Sequence, residues 1–251
     1  MATSARAVVD VYNRLVDYGR PSTDEEVVKL SIQAMALVRS NRRDFAARVA
    51  LARAQLMLGL RDEAVATIDS AYGLRLINES AILEGLSHLY WYVGVLEKSD
   101  ELDTALVSAT GRSTDAQVLT SVAAHALFAG NVERLKQIAE LPDGVAARQY
   151  LERLQRTGLD QHIERQQEIV NTTLAGHTVW ADTGSFQDPA PYIDLTYYVV
   201  CGGPTRMEMD RKISDRLYAY YSGTNISPGL YSSHICPNLI SAEVRHLLST
   251  A

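Results

Sequence analysis

The chain has 251 residues, enough for one large domain or two unequal ones. Hydrophobic residues make up 47% of it and charged residues 22%, a composition typical of soluble globular proteins. The formal net charge of −6 argues against a general binder of nucleic acid or of membrane surfaces, since both are anionic. No apolar run approaches the roughly 18 residues that a membrane-spanning helix needs.

The start of the chain and its cysteines bear on the cellular compartment. Polar residues such as Asp10, Asn13 and Arg14 interrupt the apolar run that a secretion signal requires. Cys201 and Cys236 are the only cysteines, too few for a disulfide framework. We therefore expect a cytoplasmic protein.

Residues 1–175 have the pattern of consecutive helices, because apolar residues recur at helical spacing. Ser22 and Thr23 are each followed three residues later by Glu, which predicts a capped helix start. Asn131 is a second predicted cap, after Gly130. The first two apolar stripes consist of Val8, Val11, Tyr12, Leu15 and Val16, and of Val27, Val28, Leu30, Ala34, Leu37 and Val38.

Four glycines recur near the ends of apolar helices and indicate an internal repeat. They are Gly19, Gly59, Gly94 and Gly130, at spacings of 40, 35 and 36 residues. The clearest unit is "VALARAQLMLGLRDEAVATIDSAYG", residues 49–73, in which two predicted helices flank Gly59. Small residues stand where the helices would cross closely, at Ala52, Ala64 and Ala71, and larger ones fill the space between, at Leu51, Leu56 and Ile68.

This unit resembles the tetratricopeptide (TPR) repeat, a helix–turn–helix of about 34 residues. Leu51 and Ala52 match the family's Leu-Gly pair, and Gly59 matches its turn glycine. Ala64, Ile68 and Ala71 match the second helix. The units around Gly94 and Gly130 keep fewer matches, namely Leu86 and Tyr90 in one and Val122 and Ala123 in the other, where Leu135 replaces a small residue. The resemblance covers residues ~45–141 and implies a helical solenoid whose concave surface binds a peptide or a protein.

The stretch "RSNRRDFAARVALAR", residues 39–53, is strongly basic within this repeat. Its guanidinium groups suit a partner's carboxylates or phosphates. The alternative is a solvated helix face. No aromatic residues interleave in the manner of a nucleic-acid site, which argues against that partner. The predicted binding anchors are Arg42, Arg43, Arg48 and Arg53.

Composition changes near Gly176, and residues 176–251 hold most of the prolines and both cysteines. A short alternating segment begins "GHTVWADTG" and is followed by a predicted loop from Asp182 to Pro191, and β-branched and aromatic residues predict strands in "YIDLTYYVVC" and "PGLYSSHIC". Amphipathic helices are predicted in "TRMEMDRKISDRLYAYYSG" and "LISAEVRHLLS". The predicted fold class is therefore mainly α: a TPR-like α-hairpin solenoid in residues 1–175, followed by a small α+β module in residues 176–251 that docks on it.

Within this module, "VWADTGS" resembles the catalytic loop of aspartic proteases, with Asp182 as the catalytic acid. That chemistry needs a second carboxylate that shares a proton with the first. The 66 residues after Ser185 predict a long helix in place of the flap hairpin. We expect Asp182 to lie in a turn.

The cysteines and histidines leave two chemical alternatives open. Cys201 precedes a Gly-Gly turn and a helix start, a position that favours a reactive thiolate. His234 and Cys236, on one side of a strand, could bind zinc with Cys201 and His177. No paired Cys-x-x-Cys or His-x-x-His motif anchors such a set. The structural alternative is a buried cysteine, and His88 and His125 are expected to pack within the repeats.

We expect a non-catalytic scaffold or assembly protein that binds a protein, a peptide or a copy of itself, with no cofactor. Its binding surface would be the concave side of the first two hairpins together with the tyrosine-rich module. The alternative is an enzyme with a thiol- or metal-dependent site formed by Cys201, His234 and Asp182. The tyrosines of the module are Tyr197, Tyr198, Tyr218, Tyr220, Tyr221 and Tyr231.

Overall fold

The computed structural model describes residues 24–57, 60–74, 80–109, 116–177, 179–183, 194–199, 203–224 and 232–237. This part of the chain is mainly helical, which confirms the mainly α character of the predicted fold. A 3-10 helix, Leu159–Gln161, precedes α9. The ten α-helices are α1 (Asp24–Ser40), α2 (Phe45–Met57), α3 (Arg61–Gly73), α4 (Ser80–Tyr92), α5 (Leu96–Ala109), α6 (Ala116–Ala129), α7 (Val132–Ala139), α8 (Val145–Thr157), α9 (Ile163–Leu174) and α10 (Gly203–Tyr221).

The helices pack in consecutive pairs. α2 packs on α3, α4 on α5 and α6 on α7, while α1 packs on α2. The first helix of each pair also contacts the first helix of the next, so that α2, α4, α6 and α8 form a continuous row. Gly94 and Gly130 connect the helices of two pairs, each with a φ of 71°, a left-handed conformation that favours glycine. The predicted glycine turn is therefore confirmed at these two positions; Gly19 and Gly59 lie outside the described residues.

The core lies between neighbouring pairs. Ala52, Ala64, Ile68 and Ala71, the packing positions of the clearest repeat unit, are all 0% exposed. Small side chains let the helix backbones approach closely, and the larger ones fill the remaining space. The equivalent positions of the next two units are buried as well: Leu86, Tyr90, Val122, Ala123 and Leu135.

The predicted caps and stripes have mixed outcomes. Asn131 caps α7, because its side chain accepts a hydrogen bond from the Arg134 N–H at 2.9 Å. α1 begins at Asp24, but the predicted cap residues Ser22 and Thr23 lie outside the described residues. The stripe at residues 8–16 lies outside them too.

After α9 the chain forms three short strands, β1 (Val179–Thr183), β2 (Asp194–Val199) and β3 (Ser232–Pro237). β1 pairs antiparallel with β2, and β2 pairs parallel with β3 across the connecting helix α10. Asp182 is part of β1, opposite Thr196, so the prediction of a turn there was wrong. The strand continues through Asp182 because its backbone belongs to the ladder with β2, a long-range pairing that local turn signals do not report.

Two tyrosine–glutamine contacts join the C-terminal elements to α9. Tyr221 of α10 donates a hydrogen bond to Gln166 at 2.9 Å, and Tyr197 of β2 donates one to Gln167. Burial raises the pKa of Tyr197 well above its usual range, so its hydroxyl stays protonated and acts as a donor. The Tyr197 ring also packs edge-on against Phe128 of α6.

Hydrophobic side chains from both sides of residue 175 belong to one buried cluster. The boundary between residues 175 and 176 stays a prediction. Among the described residues, none of the helices combines the length and the apolar character that a bilayer crossing requires.

The two glycine turns predict a matched pair of stability effects. Gly94→Ala should lower the free energy of unfolding by about 1 kcal/mol, because alanine disfavours a left-handed φ but meets no atom within 4 Å. Gly130→Ala should lower it by at least about 3 kcal/mol, because its Cβ would also lie 2.6 Å from the Glu164 Cα of α9. Urea denaturation of both variants measures the difference. Equal losses would show that Gly130 is not tightly packed on α9.

Candidate functional site

The turn between α1 and α2 is held by its own polar side chains. The Asn41 side chain accepts a hydrogen bond from the Arg43 N–H at 3.1 Å. The Asp44 side chain accepts one from the Ala47 N–H at 2.9 Å, which caps the start of α2. Together these contacts fix the path of the chain through residues 41–44.

Arg48 braces the same turn from α2. Its guanidinium donates two hydrogen bonds to the Arg42 carbonyl, from Nε at 3.2 Å and from Nη2 at 2.8 Å. It donates a third to the Ser70 hydroxyl of α3. Arg48 therefore links the turn to two helices, and each of its guanidinium nitrogens already donates a hydrogen bond within the chain.

Three arginines in and beside the turn face solvent, Arg39 in the last helical turn of α1 and Arg42 and Arg43 in the connection, and we call these three residues the basic turn. Within the described residues, no carboxylate lies within ion-pair distance of them. Arg53 is part-buried on α2, and its charge lies close enough to act on His88 of α4. Of the four predicted anchors, Arg42 and Arg43 are therefore exposed, whereas Arg48 and Arg53 interact with other residues of the chain.

A buried polar network, which sequence reasoning missed, joins α4, α5 and α6. Asp103 accepts a hydrogen bond from the Ser87 hydroxyl at 2.5 Å and one from His125 Nδ1 at 3.0 Å. The Ser99 hydroxyl lies 3.0 Å from that of Ser87 and donates to the Ser87 carbonyl at 3.1 Å. These four residues are all buried, none more than 6% exposed. The only sequence signal was polar residues at positions where the helical pattern expects apolar ones.

The network contains the residue types of a Ser-His-Asp triad but not its geometry. A catalytic serine would contact His Nε2, whereas Ser87 donates to the aspartate and His125 Nε2 has no hydrogen-bond partner among the described residues. The adjoining cavity has a volume of about 20 Å³, room for one water molecule and not for a substrate. In this arrangement the network links three helices.

His88 lies against this network from α4. Its ring meets the His125 ring edge-on, with the centroids 4.5 Å apart, and its Nδ1 donates to the Glu84 carbonyl at 3.0 Å. Burial lowers the pKa of His88 to about 4, with a further decrease from the neighbouring His125. Both histidines pack within the helix pairs, as expected.

An open groove of about 510 Å³ separates α9 from α10. Its positive charges come from Arg165 and Arg216. Glu168 forms an ion pair with Arg165, and Arg216 donates a hydrogen bond to Thr173 at 3.3 Å. One positive charge therefore remains in the groove, fewer than in the basic turn.

The described residues of the alternative enzyme site lie on two different strands, with Asp182 on β1 and with His234 and Cys236 on β3. Asp182 and His234 stand opposite Thr196 from the two neighbouring strands, and Cys236 stands opposite Tyr198. Cys201 lies outside the described residues. Within the described part of the chain, no group of three or more His, Cys, Asp and Glu residues could hold a metal ion.

The tyrosines predicted to form a docking surface differ in their exposure. Tyr197 and Tyr221 are buried, and the Tyr220 hydroxyl lies 2.8 Å from His162 Nδ1. Tyr218 is 68% exposed. Tyr231 lies outside the described residues.

Comparison with known proteins identifies no relative. No protein-family model matches the sequence, and no significant match occurs among curated proteins or solved structures. The resemblance to TPR repeats therefore stays a prediction.

The buried network predicts unequal effects for two aspartates of α5. Asp103→Ala should lower the free energy of unfolding by about 3 kcal/mol, because it removes the charged acceptor that the Ser87 hydroxyl and the His125 N–H share inside the helix packing. Asp100→Ala removes only a surface ion pair with Arg134 and should cost less than about 1 kcal/mol. Urea denaturation measures both; similar losses would mean that the network does not stabilise the helix stack.

Proposed function

We propose that this protein is a non-catalytic scaffold that binds an acidic segment of a partner protein through the basic turn. The observation that supports the proposal is that one arginine of this region is hydrogen-bonded within the chain, whereas three others are exposed. Arg48 holds the turn in place, while Arg39, Arg42 and Arg43 stay exposed and form no ion pair among the described residues, since the nearby Asp44 caps α2 instead. Guanidinium groups on a fixed turn lose less conformational freedom on binding than groups on a flexible segment.

The charge of the whole chain supports an acidic partner segment. The protein has a net charge of −6, so three nearby arginines that form no ion pair among the described residues are a local exception. Such a patch attracts a complementary segment at long range and repels basic ones. Opposite charges also determine the orientation in which the segment binds.

We further propose that residues 45–139 form a TPR-like hairpin stack, with a small α+β module docked on it. The continuous row of α2, α4, α6 and α8 supports the stack, since such a row is what repeated hairpins form when each buries its apolar side on the next. The hydrogen bonds from Tyr197 and Tyr221 to adjacent glutamines of α9 support the docking. A stack of this kind would hold the basic turn at one end of a rigid scaffold.

Binding of a fluorescein-labelled decaglutamate peptide tests the proposal. The double variant Arg42→Gln/Arg43→Gln should raise the dissociation constant of the peptide at least about tenfold, because it removes two charge-assisted contacts. The matched control Arg211→Gln/Lys212→Gln removes the same charge from the exposed side of α10 and should change it less than about twofold. Fluorescence anisotropy at physiological ionic strength measures both.

Equal weakening in the two double variants would contradict a specific site and point to general electrostatic attraction. An unchanged affinity in Arg42→Gln/Arg43→Gln would exclude the basic turn. Light scattering of the same proteins identifies the source of the acidic segment: a homo-oligomer that dissociates in the Arg42→Gln/Arg43→Gln variant would assign it to a second copy of this chain.

A further inference from the structure

The groove between α9 and α10 lies between two helices that are joined by hydrogen bonds at both ends. The Tyr220 hydroxyl, near the end of α10, lies 2.8 Å from Nδ1 of His162, which precedes α9. One turn earlier on α10, Arg216 donates to Thr173 near the end of α9. The helices therefore run antiparallel, and these contacts set the width of the groove in the free protein, so that a ligand meets a site already formed.

The lining of the groove is largely apolar. Ile169 of α9 is only 6% exposed, and Ala219 of α10 stands across from it. The Tyr220 ring packs edge-on against the Tyr221 ring, with the centroids 4.9 Å apart, while its hydroxyl contacts His162. A ring held in this way offers a fixed aromatic wall. The volume of about 510 Å³ is within the range of small-molecule sites.

The polar groups of the groove come from both helices. α9 contributes Arg165, Glu168 and Thr172, and α10 contributes Arg216. Glu168 neutralises Arg165 in an ion pair, which leaves the charge of Arg216. Arg216 donates to the neutral Thr173 hydroxyl at 3.3 Å, longer than a usual hydrogen bond. A carboxylate at this guanidinium would give it a charged acceptor, with which it forms a stronger bond.

We propose that the groove binds a small organic monocarboxylate with a flat apolar body, the carboxylate on Arg216 and the body between Ile169 and Tyr220. The single remaining positive charge matches a monoanion. The apolar lining favours a hydrocarbon body over a sugar or an inorganic anion, whose polar groups would lose water without gaining partners there. The inference goes beyond the proposed function and does not depend on it.

An NMR titration of the isotope-labelled full chain with 1-naphthoate tests the charge of the site. The amide signals of α9 and α10 should shift more than those of α2, with a dissociation constant of about 1 mM, as expected for a ligand of this size. Arg216→Gln should raise that constant about fivefold, because it removes the charged donor. The matched control Arg211→Gln, an exposed arginine of the same helix, should change it less than about twofold.

A second pair of variants tests the shape of the site without changing its charge. Ala219→Leu fills part of the groove and should also raise the dissociation constant of 1-naphthoate about fivefold. Since Ala219 is exposed, the variant should fold like the natural chain. The matched control Ala36→Leu, at an exposed position of α1, should leave the constant unchanged.

Equal weakening in Arg216→Gln and Arg211→Gln would overturn the proposal, because it would show general attraction of the anion. An unchanged affinity in Ala219→Leu would exclude the groove, as would signal shifts centred on the basic turn. The neutral analogue 1-naphthalenemethanol should bind about fivefold more weakly than 1-naphthoate. Equal affinities of the two probes would show that the groove does not select a carboxylate and would overturn the proposal as well.

Discussion

The structure depends on one packing constraint: each helix pair buries apolar side chains against the pair next to it. The fully buried Ala52, Ala64 and Ala71 bring helix backbones close together, and Ile68 fills the space that remains. Where the next contact involves backbone directly, even a methyl group is too large, as at Gly130 against α9. Because the contacts are local to adjacent pairs, a disturbance at one junction affects the elements on either side of it. The polar groups at these junctions therefore matter as much as the apolar ones.

Polar side chains lie at two places where helices meet, and they have different consequences for the structure. At the α1–α2 turn, Arg48 satisfies the Arg42 carbonyl and the Ser70 hydroxyl at the edge of the stack, where water screens its charge. Between α4, α5 and α6, Asp103 is buried and must be satisfied by Ser87 and His125. Such a network fixes the relative position of three helices more specifically than apolar contacts do.

The helices and their glycine turns could be predicted because the signals are local. An apolar residue every three or four positions defines a buried face, and a left-handed φ selects glycine at Gly94 and Gly130. The partners of charged residues could not be predicted in this way. Asp103 and His125 are 22 residues apart on different helices, and Arg48 and Ser70 are likewise 22 apart. The error at Asp182 has the same origin, because its strand conformation depends on pairing with Thr196.

The division of the arginines shows why a basic sequence segment is a poor guide to a binding site until the tertiary contacts are known. All four predicted anchors have the same charge and lie within a dozen residues of one another, yet Arg48 stabilises the turn that presents Arg42 and Arg43. Replacing Arg48 would thus weaken binding without any contact to the partner, by loosening the turn. A guanidinium already hydrogen-bonded inside the chain has little left to offer a ligand, whereas an exposed one exchanges only water for a carboxylate. Under the proposed function, the arginines that bind the partner are those whose guanidinium groups the fold leaves exposed, and Arg48, which the fold has already satisfied, holds them in place.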